Sequence, residues 1–256
     1  MEPDLRLVQG SSFGAAAAAY AQHRPDYPEA AVGWALEPAP GPRVLDLGAG
    51  TGKLSAALVG LGREVIAVEP DSAMLTELRC ALPSVRALSG RAEALPLPDA
   101  SVDSVLVGQA MHWFDMALAG PEMARVLVPG GVLAGLWNVI DNRVDWVAVL
   151  ERVSENAAVS TLSSWRAEMT DAHLPSLDLH ARFGSLEQAE FCHGQQRTAD
   201  SLVATLATHS GLLVMPRQEQ EATLGRIGDF LASRPETSRG EFTLPLVTGV
   251  VRARRL

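Results

Sequence analysis

A glycine-rich turn at the end of a short apolar run constrains the fold of this chain more than any other feature. The segment Val44–Gly52 carries an acidic residue between apolar ones and then three glycines at alternate positions. A second apolar run, Val65–Val68, ends in Glu69, which follows Gly48 by 21 residues (69 − 48). A strand, a glycine turn, a helix and a second strand ending in a carboxylate predict a unit that binds a nucleoside, because bare backbone admits the ligand and the carboxylate accepts from ribose hydroxyls.

Three kinds of glycine loop compete for this segment, and their spacings separate them. A phosphate-binding P-loop needs glycine where this chain has Leu47, and a hydroxyl residue where it has Leu54. A dinucleotide-binding turn needs a small residue where this chain has Lys53, because helix and strand pack closely there. The segment instead suits a nucleoside with a charged amino-acid arm, whose ammonium group can donate to Asp46.

The segment Asp46–Gly52 resembles the first motif of class I S-adenosylmethionine-dependent methyltransferases. Glu69–Leu75 is similar to the second motif, the stretch from Gly90 to Asp103 to the third, and Glu122–Gly131 to the helix and turn before the fifth strand. These motifs cover roughly residues 40–140 in the order that the family shows. The resemblance implies S-adenosylmethionine as cofactor and S-adenosylhomocysteine as product.

The resemblance also assigns roles in cofactor binding. It implies that Glu69 binds the ribose and that Pro70 and Met74 flank the adenine. Most relatives carry an Asp that accepts from the adenine amino group where this chain has Arg91, so the backbone, Glu93 or Arg91 itself substitutes for that Asp in contacting the adenine here. The implied cofactor site consists of Tyr20, Arg24, Asp46, Gly48, Ala49, Gly50, Glu69, Pro70, Met74, Arg91, Ala92, Glu93 and Gln109.

Two narrower resemblances lie outside the shared core. Tyr20 and the segment Arg24–Pro28 resemble the N-terminal part of small-molecule methyltransferases of the type 11 kind. Tyr20 and Arg24 either hold the carboxylate of the cofactor's methionine arm, which a guanidinium matches in geometry, or only fix the arm to the sheet. The segments Gln109–Asp115 and Trp137–Trp146 resemble a bacterial branch that includes relatives of trans-aconitate methyltransferase.

Candidate acceptor contacts come from that branch resemblance and from chemistry. His112, Trp113, Asn138 and Asp141 are the candidates, and His112 is also the candidate catalytic base because imidazole titrates near neutrality. Each has a structural alternative: His112 could pack in a lid, Trp113 in the core, and Asn138 and Asp141 could cap a helix.

The methyl group on a sulfonium is already activated, so the protein mainly has to hold the acceptor at about 3 Å and exclude water. A base helps a hydroxyl acceptor and is not required by a carboxylate.

The composition and the net charge limit the kinds of molecule that this protein is expected to bind. A chain of 256 residues that is 47% hydrophobic can bury a sizeable core, and a net charge of −9 argues against binding through nucleic-acid phosphates. The two cysteines and the spacing of the histidines predict no metal, and no segment reads as a signal peptide or a membrane span. We therefore predict a cytoplasmic enzyme, a monomer or homodimer, that acts on a small-molecule acceptor and binds neither nucleic acid nor membrane.

Alternating strand and helix patterns predict an α/β fold with a doubly wound, mostly parallel seven-stranded sheet, the Rossmann-like methyltransferase fold, closed by an antiparallel C-terminal strand. We predict one methyltransferase domain over residues 1–256: an N-terminal helical arm over 1–40, a cofactor-binding core over 41–140, and a helical lid and acceptor region with the last two strands over 141–256. The predicted strands lie over 43–47, 64–69, 85–89, 102–108, 131–137, 187–197 and 242–252. The predicted helical regions are a helical arm over 11–37, helices over 52–61, 72–81 and 115–127, a mostly helical stretch over 141–180, and two helices over 199–233 broken at Gly211 and Pro216.

Three functions remain open from the sequence. The first is methyl transfer to the carboxylate or hydroxyl of a small organic acceptor by in-line displacement. The second is a nicotinamide-dinucleotide oxidoreductase, which Lys53 disfavours. The third is a catalytically inactive S-adenosylmethionine-binding protein, which the departure at Arg91 keeps open.

Overall fold

The computed structural model describes residues 24–154, 159, 161–170, 182–207, 209–213 and 215–256. The described residues fall into two compact units. The core unit comprises those of Asp26–Asn138, Glu168–Phe191 and Thr248–Leu256, and the second unit those of Met1–Pro25, Val139–Ala167 and Cys192–Val247.

The described residues form seven strands and nine helices of the α type. The strands are β1 (Arg43–Leu47), β2 (Glu64–Glu69), β3 (Arg86–Ser89), β4 (Val102–Gly108), β5 (Leu127–Ile140), β6 (Glu187–Arg197) and β7 (Phe242–Arg254). The helices are α1 (Glu29–Leu36), α2 (Lys53–Gly60), α3 (Ser72–Ala81), α4 (Met116–Val126), α5 (Asp145–Val153), α6 (Leu162–Thr170), α7 (Ala199–Ala207), α8 (Ser210–Leu213) and α9 (Arg217–Ser233).

The strands form one sheet in the order β3-β2-β1-β4-β5-β7-β6. The pairs β3–β2, β2–β1, β1–β4 and β4–β5 are parallel, and the C-terminal strands run antiparallel, which confirms the predicted doubly wound sheet. The strand order reverses between β1 and β4, and ligands of such sheets bind beyond the carboxyl ends of the strands at this switch point. Asp46 and Gly108 lie at the carboxyl ends of β1 and β4.

Burial explains why the central strands form. The first six residues of β4 are buried, as expected for a parallel strand that helices cover on both faces. Helix α3 begins where the Asp71 carboxylate accepts from the amides of Ala73 and Met74, and it buries Leu78 in a cluster with Ala49 of the glycine turn. The glycine turn is therefore packed against a helix as well as carried by a strand.

The N-terminal arm is less helical than predicted in its described part. The predicted helical arm over 11–37 lies outside the described residues up to 23, and from residue 24 onward only Glu29–Leu36 is helical. The chain from Arg24 to Pro28 is not helical, because Pro28 takes the N-cap position and Pro25 adds a second break.

Strand β5 is longer than predicted, 127–140 rather than 131–137. Pro129 and the two glycines after it suggest a turn in the sequence, yet the Gly130 amide donates to the Arg255 carbonyl and the Arg255 amide donates to the Gly131 carbonyl. Pairing with the chain at the end of β7 therefore keeps this segment in the sheet.

The second unit has its own apolar core, in which Trp146 packs edge-on against Phe242 with ring centroids 5.7 Å apart. The predicted break at Gly211 is wrong, because Gly211 lies inside α8 and one glycine costs a helix only about 1 kcal/mol. The predicted break at Pro216 is confirmed, since Pro216 is the N-cap of α9. The division of the chain into arm, core and lid stays a prediction.

None of the described helices is long and apolar enough to cross a membrane.

Candidate active site

The glycine turn lies at the carboxyl end of β1 and is fixed to the end of β2. The amides of Gly48 and Ala49 both donate to the Val68 carbonyl, at 2.9 and 3.2 Å. Gly48 and Gly50 have φ values of +70° and +56°, in the left-handed region that glycine adopts without strain. These two glycines therefore form a turn in which residues with side chains would be strained.

Glu69 joins the two halves of the predicted nucleoside-binding unit. Its side chain is buried, and its Oε2 accepts from the Gly50 amide at 2.8 Å while its Oε1 accepts from the Asp71 amide at 2.9 Å. Burial raises the pKa of Glu69, and the two amide hydrogen bonds oppose that rise. Each carboxylate oxygen has a second lone pair, so Glu69 can accept from two further hydroxyls.

Asp46 is the most buried carboxylate near the turn, with 1% of its surface exposed. Its Oδ2 accepts from the Ser55 hydroxyl at 2.6 Å, and its Oδ1 has no hydrogen-bond partner in the described part of the protein. Burial raises the pKa of Asp46 to about 7, the Ser55 hydrogen bond lowers it, and the charge of Glu69 raises it. A buried oxygen without a partner has capacity for a donor from a ligand.

These residues fit a nucleoside with a charged arm. No described atom lies within 4 Å of the point where a side chain at Gly50 would begin, so the backbone is open to a ligand there. Glu69 offers two free acceptor positions, and Asp46 offers one buried acceptor that suits an ammonium donor. The residues present therefore fit the group that the glycine motif implies.

The predicted adenine contacts follow β2 and β3. Met74 is buried in α3 and Pro70 is exposed. Arg91 is 63% exposed, and its Nε lies 3.4 Å from Oε2 of Glu93. Oε1 of Glu93 accepts from the Asp115 amide at 3.0 Å, so this carboxylate already links two segments. The contact of the adenine with the backbone, Glu93 or Arg91 stays a prediction.

Ala92, the remaining predicted residue of this loop, is buried at 3% exposure.

Gln109 follows β4 and is anchored to β5. Its φ is +58°, its backbone amide donates to the Leu136 carbonyl at 2.9 Å, and its Nε2 donates to the Asn138 carbonyl at 2.7 Å. The side chain of Asn138 is also engaged: Nδ2 donates to the Asp26 carbonyl at 3.2 Å, and Oδ1 accepts from the Thr248 hydroxyl at 2.6 Å. Asn138 thus links β5 with β7 and with the segment before α1.

The segment after Gln109 crosses the glycine turn. A side chain at Gly48 would begin 2.7 Å from Cβ of Ala110 and 3.4 Å from the Phe114 ring. His112 and Trp113 lie in the 3₁₀ turn Met111–Trp113 between these two contacts, with ring centroids 4.5 Å apart. His112 is exposed and Trp113 is half-buried.

Three of the predicted site residues are not among those described above for the core unit. Tyr20 lies outside the described residues, and Arg24 and Asp141 belong to the second unit. The Asp141 carboxylate forms a bidentate pair with Arg143, which holds the pKa of Asp141 below its ordinary value.

The alternative that Asn138 and Asp141 cap a helix is wrong. Val144 is the N-cap of α5, and no side chain caps it. Asn138 lies within β5 instead.

Sequence reasoning missed several residues of this region. Ser55 donates a hydrogen bond to Asp46 and lies in the first turn of α2. A hydroxyl residue in the turn that follows β1 could have predicted this hydrogen bond. Lys53, which the sequence marked only as unsuited to a dinucleotide, forms an ion pair with Asp26 at 2.8 Å. The contact of Phe114 with Gly48 has no local signal, because it depends on the path of the chain after β4.

The sequence of this chain is similar to those of known proteins. Residues 45–135 match the family described as "Methyltransferase domain". An uncharacterised methyltransferase of Mycobacterium tuberculosis is 42% identical over 243 residues, which cover 94% of this chain and 95% of that protein. A malonyl-[acyl-carrier protein] O-methyltransferase of Methylococcus capsulatus is 36% identical over 196 residues, 70% of each chain.

A solved structure shares the fold as well. A candidate type II methyltransferase from Anaeromyxobacter dehalogenans superposes with a TM-score of 0.66 at 27% identity, and the match covers 91% of this chain and 97% of that one. These similarities confirm the predicted activity and the cofactor, S-adenosylmethionine, and they set aside the oxidoreductase alternative. The chain belongs to the class I S-adenosylmethionine-dependent methyltransferases.

Proposed function

We propose that this methyltransferase transfers the methyl group to a carboxylate oxygen of a small organic acid, by in-line displacement. The observation that carries the choice of a carboxylate is the similarity, over 70% of the chain, to an enzyme named malonyl-[acyl-carrier protein] O-methyltransferase, because a malonyl thioester has a free carboxylate. The hydroxyl of a metabolite is the second candidate, and exposed His112 beside the glycine turn favours it. The narrower resemblance to trans-aconitate methyltransferase relatives stays a prediction.

The bound cofactor supplies a methyl group activated on a sulfonium. The residues of the chain hold the cofactor in position. Glu69 accepts from the ribose hydroxyls, and Asp46 accepts from the ammonium of the methionine arm through its unpaired Oδ1. The turn at Gly48–Gly50 leaves room for the ligand to lie against backbone.

In the proposed reaction, bound S-adenosylmethionine would supply its methyl carbon to a carboxylate oxygen of the acceptor, and the electron pair of the broken carbon–sulfur bond would stay on sulfur in the S-adenosylhomocysteine product. A carboxylate acceptor would need no proton removed. His112 would donate a hydrogen bond to the acceptor. If the acceptor is a hydroxyl, His112 instead takes its proton.

A transfer experiment distinguishes the two acceptor classes. The protein is incubated with S-adenosylmethionine labelled in the methyl group and with separate panels of di- and tricarboxylic acids and of hydroxylated compounds without a carboxyl group. A methyl ester releases labelled methanol in mild alkali, and a methyl ether does not. Alkali-stable label in the hydroxyl panel only would overturn the carboxylate proposal.

Calorimetric titrations check the cofactor separately from the acceptor. S-adenosylhomocysteine is expected to bind, and NAD is not. Binding without transfer to any compound in either panel would contradict both acceptor classes proposed here.

The cytoplasmic location, the monomeric or dimeric state and the absence of nucleic-acid binding belong to the same proposal. The net charge of −9 supports the last of these. Gel filtration with light scattering and a titration with DNA and RNA oligonucleotides would test the state and the binding.

A further inference from the structure

Two residues other than glycine have positive φ values in the described part of the chain, and they flank the same strand. Ala100, with a φ of +49°, precedes β4, and Gln109, with a φ of +58°, follows it. A residue with a side chain is strained in this conformation, so the conformation persists only where the surrounding structure holds it. Only Gln109 lies at the edge of the sheet where β1 ends and the glycine turn begins.

Two hydrogen bonds hold Gln109 in this conformation. Its amide donates to the Leu136 carbonyl at 2.9 Å, and its side-chain Nε2 donates to the Asn138 carbonyl at 2.7 Å. Both acceptors belong to β5, the strand next to β4 in the sheet. The residue is thus anchored to a neighbouring strand by its backbone and by its side chain.

The anchored turn determines the path of the next five residues. Ala110 and Phe114 lie against Gly48, with atoms 2.7 and 3.4 Å from the point where a side chain would begin there. The amide of Asp115 donates to Glu93 at 3.0 Å, so the segment is also held at its far end. The segment Ala110–Phe114 therefore crosses the glycine turn and is held at both ends, by the hydrogen bonds of Gln109 and of Asp115.

We propose that Gln109 is a positioning residue for the cofactor. Its strained turn and its side-chain hydrogen bond to β5 hold Ala110–Phe114 against Gly48, and this contact fixes one wall of the cofactor site. Gln109 acts in this way through the segment that follows it. A direct hydrogen bond to the ligand is not required.

The test uses the full chain and S-adenosylhomocysteine as the probe, so it does not depend on the acceptor. Gln109→Gly removes both the strain and the side-chain anchor, and Ala100→Gly is the matched control because it relieves the same kind of strain at the other end of β4. We expect Gln109→Gly to weaken S-adenosylhomocysteine binding by about tenfold in calorimetry, with stoichiometry near one. Ala100→Gly should leave the dissociation constant unchanged.

A second variant separates strain from anchoring. Asparagine adopts the left-handed conformation more readily than most residues, but its side chain is one methylene too short to reach the Asn138 carbonyl. Gln109→Asn is therefore expected to weaken binding, by less than Gln109→Gly. Wild-type affinity in both variants would overturn the proposal, and wild-type affinity in Gln109→Asn alone would overturn the role assigned to the side-chain hydrogen bond.

Hydrogen exchange distinguishes positioning from direct contact. Without ligand, the amides of Trp113 and Phe114, which donate to Ala110 and Met111, should exchange faster in Gln109→Gly than in the wild type. A residue that only touched the ligand would leave this exchange unchanged, so unchanged exchange would contradict the proposal.

Discussion

The amide of Gly50 donates a 2.8 Å hydrogen bond to Oε2 of Glu69, which joins the glycine turn after β1 to the end of β2. The same carboxylate accepts from the Asp71 amide at the start of α3. One buried side chain therefore holds the turn and the helix that border the cofactor site, and still has a lone pair free on each oxygen.

Glu69→Ala is expected to weaken S-adenosylmethionine binding by about 1–3 kcal/mol, because two ribose hydroxyls lose a charged acceptor. Calorimetric titration measures the change, and denaturant unfolding shows whether the variant is folded. Glu64→Ala, an exposed glutamate at the start of the same strand, is the control and should bind normally. Unchanged affinity in a folded Glu69→Ala protein would refute the ribose role.

The pKa of Asp46 predicts how stability depends on pH. Burial raises this pKa from 3.8 to about 7 in the folded protein, so the folded state keeps the proton that the unfolded state has lost. The free energy of unfolding should therefore fall as pH rises from about 4 through about 7, by up to about 4 kcal/mol in total, and this group should add no further change above about pH 8. Urea unfolding at a series of pH values measures the slope.

Asp46→Asn should flatten that slope, because the amide does not titrate. Ser55→Ala should extend the slope to higher pH, because the Ser55 hydrogen bond holds the pKa down. Equal slopes in the wild type and in Asp46→Asn would contradict the assignment.

His112 distinguishes the two acceptor classes through kinetics. If it only hydrogen-bonds a carboxylate, His112→Gln should stay near wild type, and His112→Ala should lower kcat/KM by about tenfold, the value of one hydrogen bond. If it is a general base, both variants should lose about 10²–10⁴ in rate. We expect the first result, with a wild-type rate that does not fall toward acid pH in the way that protonation of a base would cause. A wild-type rate that falls toward acid pH, and no longer does so in His112→Gln, would contradict it.

Gly48→Ala should weaken both the fold and cofactor binding. A methyl group there would lie 2.7 Å from Cβ of Ala110, at a φ of +70° that alanine rarely adopts. We expect a loss of about 1–3 kcal/mol in unfolding free energy, the range for overpacking. Gly60→Ala is the control: Gly60 ends α2 with no described atom within 4 Å of an added methyl group, so alanine should be neutral or stabilising there. Equal effects of the two substitutions would show that neither the contact with Ala110 nor the positive φ of Gly48 is important.

Local patterns were sufficient for most of the core unit. Strands β1, β2 and β4 and helix α3 have the predicted bounds, because each is marked by an apolar run or face and by a glycine, proline or capping residue at its end. Prediction failed where a distant segment decides the structure. The start of β5 looks like a turn until Arg255, at the far end of the chain, pairs with Gly130 and Gly131.

The sequence by itself determined the order of strands and helices along the chain, and it placed Asp46, the glycine turn and Glu69 at strand ends, since these depend on residue type and short spacing. The resemblance of its motifs to a known family implied the family and the cofactor. Only the tertiary structure decided which distant residues meet: Gln109 with β5, and Phe114 with Gly48. The physical reason is that a hydrogen bond or a packing contact between segments far apart in the chain depends on how whole strands align in the sheet. No local pattern of side chains specifies that alignment.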